Sequence, residues 1–225
     1  SLNYNGFNYK LVEIGGQCWF KENLRTKNYT DGTPINYAAT GSFWANDTTG
    51  AYAYFKDSSG YTCSSCPTYY TTAYDSIYGA LYNGYAVNNP AGLCPTGWHV
   101  PTDCDWMYLE NFLGMSIADQ ESMAISRGTD EGSKIKEADT LLWGFYSASN
   151  CVLNNDSSGF SARPAGMLYS NSIFSNISVF GSFPSAYFWS STVNTPSVNN
   201  KIRKLAGGCT TTYINRSIHY LKNGL

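Results

Sequence analysis

The apolar residues of this chain change their period as it runs, and that change limits the fold more than any other feature. Over residues 7–24, Tyr9, Leu11, Ile14, Cys18 and Phe20 alternate with polar positions around Gly15-Gly16, the spacing of a β-hairpin. After Pro101 the period lengthens. Trp106, Leu109 and Leu113 fall on one face at helical spacing, with Thr102 or Asp103 placed to cap the helix. A shorter helix is expected over 118–126. Another starts near Ser133, with Ile135, Ala138 and Leu142 inward and Gly144 as its stop. Beyond Gly159 the alternation returns at Phe160, Ala162 and Pro164, and 187–193, 201–206 and 211–217 read as extended. Strands, then helices, then strands predict an α+β domain with short antiparallel sheets, two or three helices and long loops.

Residues 28–78 are rich in Thr, Ser, Gly and Tyr, with turn signals at Asp31-Gly32 and Ser59-Gly60, and read as irregular loops with a few short strands. No period of 20–50 residues recurs and no low-complexity linker divides the chain, so a single domain over 1–225 is expected. Only 13% of residues are charged while 16% are aromatic, which excludes a disordered chain. With 14 Lys and Arg against 16 Asp and Glu there is no phosphate-binding footprint, so no nucleic-acid partner is expected. No apolar run approaches ~20 residues, so no membrane span is expected either. Seven cysteines point to an oxidising, extracellular or cell-surface location. Cys18, Cys63, Cys66, Cys94, Cys104, Cys151 and Cys209 are all disulfide candidates, and the odd count leaves one free or paired outside this sequence. Ser1-Leu2-Asn3-Tyr4 lacks the pattern of a signal peptide and reads as a mature or trimmed start.

Four longer segments have a more specific character. They are Ile14-Gly15-Gly16-Gln17-Cys18-Trp19-Phe20-Lys21-Glu22-Asn23-Leu24, Tyr78-Gly79-Ala80-Leu81-Tyr82-Asn83, Gly92-Leu93-Cys94-Pro95-Thr96-Gly97-Trp98-His99-Val100-Pro101-Thr102, and Gly159-Phe160-Ser161-Ala162-Arg163-Pro164-Ala165-Gly166. Phe188-Trp189-Ser190-Ser191-Thr192 and Tyr213-Ile214-Asn215-Arg216-Ser217 follow in the same order. Over nearly its whole length the chain resembles the Fibrobacter succinogenes major paralogous domain family, common in secreted and surface proteins of Bacteroidetes-type bacteria. The resemblance implies a C-type-lectin-like α+β fold, distantly related to formylglycine-generating enzymes, and no agreed biochemical activity. Against the family pattern, Gly84 replaces a usual Trp and Cys104 a usual Ala, and 41–76 and 115–132 look like insertions. The family continues into a final Ser-Val-Arg-Cys strand after the position of Leu225, so that strand is expected to be missing from the sheet. An eighth cysteine on it, paired with one of the seven, Cys94 by preference, or a strand supplied by a neighbouring subunit would complete the unit.

The candidate sites are few. His99, between Trp98 and a proline at a helix entrance, reads as a structural histidine, since no acid pair is evident beside it, and His219 is less informative still. Cys63-Ser64-Ser65-Cys66 has the spacing of a zinc half-site or redox motif, yet no second ligand pair exists and it lies in a polar loop, so a local disulfide is favoured. The calcium triplets of lectins are absent; Trp44-Ala45-Asn46-Asp47 misses one by an inserted residue. Asp103, Asp105, Asp130 and Glu131 are explained by helix capping and solvation. No catalytic residue, metal or cofactor is expected. Asp47-Thr48-Thr49, Asp75-Ser76-Ile77 and Asp139-Thr140-Leu141 match the O-glycosylation pattern of such bacteria, which makes Thr48, Ser76 and Thr140 candidates, the first two in expected loops. The leading expectation is a secreted or cell-surface non-enzymatic module with a structural or adhesive role, self-associating with neighbouring subunits, in a filament for example. The alternatives are a lectin-like binder of a glycan or protein and a degenerate relative of formylglycine-generating enzymes.

Overall fold

The computed structural model describes residues 1–38, 41–54, 74–138, 142–143, 154–169, 174–175, 184–195, 199–208, 212–221 and 224–225. Local chemistry sets the first elements. Asn5-Gly6, both at positive φ, turns β1 (Leu2–Tyr4) back on β2 (Phe7–Tyr9). Gly15-Gly16 does the same between β3 (Leu11–Ile14) and β4 (Gln17–Phe20), where the sequence places its hairpin. A three-stranded sheet follows, in the order β5 (Asn36–Tyr37), β6 (Ala51–Ala53), β7 (Leu81–Tyr82). Its β5–β6 pair is parallel and its β6–β7 pair antiparallel. The 41–76 stretch is more than a loop insertion: besides β6 it contains α1 (Gly41–Asn46), whose Trp44 is 1% exposed, and the start of α2 (Tyr74–Tyr78).

The Asn83 side chain caps α3 (Gly84–Val87) by accepting from the Ala86 N–H. A side chain on Gly84 would meet Leu221 at 2.7 Å, so the segment at Leu221 closes the space beside this glycine. The helix after Pro101 is α4 (Asp103–Phe112), and Thr102 with Asp105 forms a full capping box. Trp106, Leu109 and Leu113 are all buried, as the spacing predicts. Two other expectations need correction. The 118–126 helix is α5 (Ile117–Glu121), capped by Ser116 and ended by Ser122. The helix near Ser133 is only α6 (Glu131–Ile135): Lys136 leaves it to bridge Ala162 and places its ammonium 5.0 Å over the Trp143 ring, and Ala138 is exposed. Six helices are thus present among the described residues rather than two or three, and only α4 is long.

β8 (Met167–Leu168) pairs with β9 (Phe174–Ser175). The largest sheet is the antiparallel meander β10 (Ser185–Asn194), β11 (Asn199–Ala206), β12 (Asn215–His219). Phe160, Ala162 and Pro164 are buried alternately but form only one bridge, not a strand. The outer edge of β12 is partly covered, because Ile214 bridges Arg127 and the Arg216 N–H reaches the Ala124 carbonyl. The molecule is therefore a mixed α/β structure with short, mostly antiparallel sheets, and its core lies between α4, the meander and the β3–β4 hairpin. Leu109→Ala should lower stability by ~2–5 kcal/mol, the cost of a cavity in a packed core. Thr102→Ala should cost about 1 kcal/mol through the lost cap. Urea melts check both, and a Leu109→Ala midpoint equal to wild type would place that face outside the core.

Candidate functional site

Two features stand out where these elements meet. The first is an ion-pair cluster under α4. Asp103 (4% exposed) accepts from Arg203 Nη1 at 2.8 Å, Lys201 Nζ at 2.8 Å and Arg216 Nε at 3.1 Å, and its Oδ2 also takes Arg216 Nη2. Glu110, about two helical turns further along, accepts from Arg127 Nη2 at 2.7 Å and Arg203 Nε at 2.5 Å. Arg127 and Arg216 each also donate from Nη1 to carbonyls among Asp119, Gln120 and Glu121, the negative end of α5, while the buried Arg127 Nε has no partner. Burial raises the Asp103 pKa, but hydrogen bonds from Arg216, Lys201 and Arg203 outweigh it and hold the carboxyl far below the usual range. Asp103 is thus the hub of a cluster rather than a solvated capping residue.

The second feature is a groove of about 590 Å³ between the β4 end of the hairpin, the 93–101 segment, β7, β10 and residues 160–165. Its walls are aromatic. Trp19 packs on Trp106 at 5.0 Å between ring centroids, Trp106 on Phe188 at 5.5 Å, and Phe160 on Phe188 at 5.8 Å. Phe20 packs on Trp98 at 4.6 Å. The Trp189 indole N–H donates to the Tyr82 carbonyl at 2.9 Å, tying β10 to β7. At the rim one acid stands beside His99: its Nε2 lies 2.9 Å from Asp105 Oδ2. Burial raises the Asp105 pKa, and the hydrogen bonds from His99 and Thr102 together bring it below its ordinary value. That pair belongs to the helix cap, since the same oxygen takes the Thr102 N–H at 2.8 Å.

The remaining candidates scatter. Cys18 and Cys104 are exposed free thiols; Cys94 is a free, half-buried thiol lining the groove, with its pKa pushed by burial up to about 12. Cys63, Cys66, Cys151, Cys209 and Thr140 lie outside the described residues. Thr48 is exposed, but the neighbouring Asp47 is buried, with its carboxylate held by Thr49, Gly50 and Asn83. That also removes Asp47 as an open calcium ligand. Ser76 is exposed and sits in α2 rather than in a loop. Glu131 is 2% exposed, and its Oε2 takes the Thr129 N–H at 2.7 Å. Among the described residues no three His, Cys, Asp or Glu side chains gather as a metal site. Sequence reasoning missed both the cluster and the groove. For the cluster a signal existed, since Asp103 and Glu110 lie on the same helix face as Trp106.

Removing one partner from a buried ion pair strands the others, so Asp103→Asn should cost ~3–5 kcal/mol. Because the folded pKa of Asp103 lies below its unfolded value, its stabilisation is complete above the ordinary carboxylate range and lost as pH falls through the folded pKa. The variant should accordingly lose less stability than wild type on acidification, as read by urea midpoints across a pH series. The raised Cys94 pKa has the opposite direction. The fold favours the thiol, so this contribution is present below the unfolded pKa near 9 and is lost as pH climbs towards about 12. Peptide mapping after alkylation at neutral pH should find Cys18 and Cys104 modified well before Cys94.

The family model described as the Fibrobacter succinogenes major domain matches residues 12–223. No curated protein and no solved structure matches the chain. The match covers most of the chain, the ion-pair cluster included, and the chain therefore belongs to the Fibrobacter succinogenes major domain family.

Proposed function

We propose that the protein is a secreted or cell-surface, non-enzymatic module with a structural or adhesive role, which meets neighbouring subunits through the outer side of α4 and α5. The observation that carries this reading is a set of large apolar side chains left in water on a rigidly held helix pair. On α4, Tyr108 and Phe112 are 55% and 62% exposed and lie one turn apart. Ile117 at the start of α5 is 68% exposed. Beneath them the ion-pair cluster fixes both helices to the meander, so the apolar side chains stand on a surface that does not have to order itself on contact. Exposed apolar side chains grouped in this way mark contact surfaces. The C-type-lectin-like arrangement is part of the same proposal, supported by α4 packed on the meander beside long irregular segments. The extracellular location rests on the seven cysteines and the low charge.

Tyr108→Glu combined with Ile117→Glu should abolish self-association of the purified protein in sedimentation velocity while moving Tm by no more than about 2 °C. A wild-type protein that stays monomeric at high concentration would defeat the reading, as would a double variant that assembles normally.

A further inference from the structure

One wall of the aromatic groove carries a row of polar groups. Lys21 continues the β3–β4 ladder by one residue, its N–H reaching the Lys10 carbonyl at 3.0 Å. Alternate residues of a strand share a face, so Gln17, Trp19 and Lys21 stand in one row, and all three line the groove. Each has hydrogen-bonding capacity that no described residue uses. Trp19 is 8% exposed, and its buried Nε1 has no acceptor. The buried Gln17 Oε1 has no donor. Lys21 is half-buried, with its Nζ 3.8 Å from where a Cβ on Gly159 would stand. It makes no ion pair among the described residues, because Glu22 is held by Arg25 at 2.8 Å and Glu137 by Arg163 at 2.6 Å.

The backbone around the groove is already paired. The Leu225 N–H reaches the Tyr82 carbonyl at 3.1 Å and the Tyr82 N–H returns to the Leu225 carbonyl at 3.0 Å. Gly224 and Leu168 exchange the same two bonds at 2.7 and 2.8 Å. This rung joins two separate sheets into one row, β5–β6–β7, residues 224–225, β8–β9. The Ala80 N–H reaches the Leu24 carbonyl at 3.0 Å, and on β10 the Ser191 N–H donates to the Pro101 carbonyl at 2.9 Å. The β7 side therefore offers no ladder for a peptide strand to join, and the space suits a small molecule.

Charge sets the direction of that molecule. The two unused donors, Trp19 and Lys21, lie towards one end of the row. At the other end the Gln17 amide donates to Asp105 Oδ1 at 3.3 Å, so an oxygen and a carboxylate stand there and repel an anion. With Glu22 beside Lys21 as well, the groove compensates one negative charge and no more. From Lys21 to Gln17 the row runs about 13 Å, and about 590 Å³ over that length gives a cross-section of about 45 Å², the width of a phenyl ring rather than of a single alkyl chain. We propose that the groove binds a small arylalkanoate, its carboxylate on the Lys21 ammonium and its ring against Phe160 and Phe188. A carboxylate oxygen seated there supplies the acceptor that the Trp19 N–H lacks. The bound ring stands in front of Cys94, another lining residue. This site is separate from the contact surface on α4 and α5 and goes beyond the structural reading.

Tryptophan fluorescence titrations of the protein with hydrocinnamate, its methyl ester and octanoate, each up to about 10 mM, test the assignment. Hydrocinnamate should bind at least about tenfold more tightly than either other probe, and at saturation it should slow Cys94 alkylation about fivefold while leaving the exposed Cys104 unchanged. Lys21→Met should bring hydrocinnamate down to the level of its ester, and Lys21→Arg should keep the preference. The comparison of acid with ester is made on the wild-type protein, so it holds even where a variant does not fold. Equal binding of acid and ester, no binding of hydrocinnamate, or binding without protection of Cys94 would overturn the proposal. Octanoate binding as tightly as hydrocinnamate would overturn it too and assign the groove to an acyl chain.

Discussion

Three buried arginines, a half-buried lysine and two buried carboxylates under one helix hold this molecule together. Desolvating Asp103 and Glu110 is costly, and only because Arg203 touches both, Arg127 and Arg216 flank them and α5 offers its last carbonyls does the balance close. The cluster is directional in a way that apolar packing is not. Guanidinium forks accept few geometries, so α4, α5, β11 and β12 are fixed in mutual orientation as well as in proximity. Apolar side chains of similar volume could fill the same space without fixing those angles.

The position of α4 then decides what both of its sides can do. Inward, Trp106 builds the aromatic wall and hydrogen-bonds to β10, while Asp105 holds the helix start, His99 and Gln17. Outward, Tyr108 and Phe112 stand in water on a helix that cannot rotate them away. One helix of ten residues thus carries the cap, the ion-pair hub, a groove wall and an apolar surface. A change that tilts it would be felt in all four.

What could be read from the sequence was what is decided locally. The Gly15-Gly16 turn, the Thr102 cap and the Trp106–Leu109–Leu113 face depend on neighbours in the chain, and each lies where its spacing predicts. The Asn5-Gly6 hairpin carried an equally local signal that the reading of 7–24 passed over. The misjudged elements are those that tertiary contacts overrule. The chain leaves α6 at Lys136, which is drawn to Ala162, the Ala206 carbonyl and the Trp143 ring, and no helical period could announce that. Asp103 looked like a cap because nothing local distinguishes a capping aspartate from one that three distant cations will surround. The groove was beyond such reasoning altogether, since six separated segments contribute to it.

The rung at Gly224 and Leu225 also bears on the order in which the molecule can assemble. Its partners Tyr82 and Leu168 belong to different parts of the chain, Tyr82 more than half the sequence away. Gly224 must moreover slide against the Trp44 ring, where even a methyl group would stand 2.5 Å from a ring carbon. Contacts of such long separation form slowly, because a large loop has to close before they return any energy. During synthesis β5–β7 and β8–β9 therefore exist as two unjoined edges until the rung arrives.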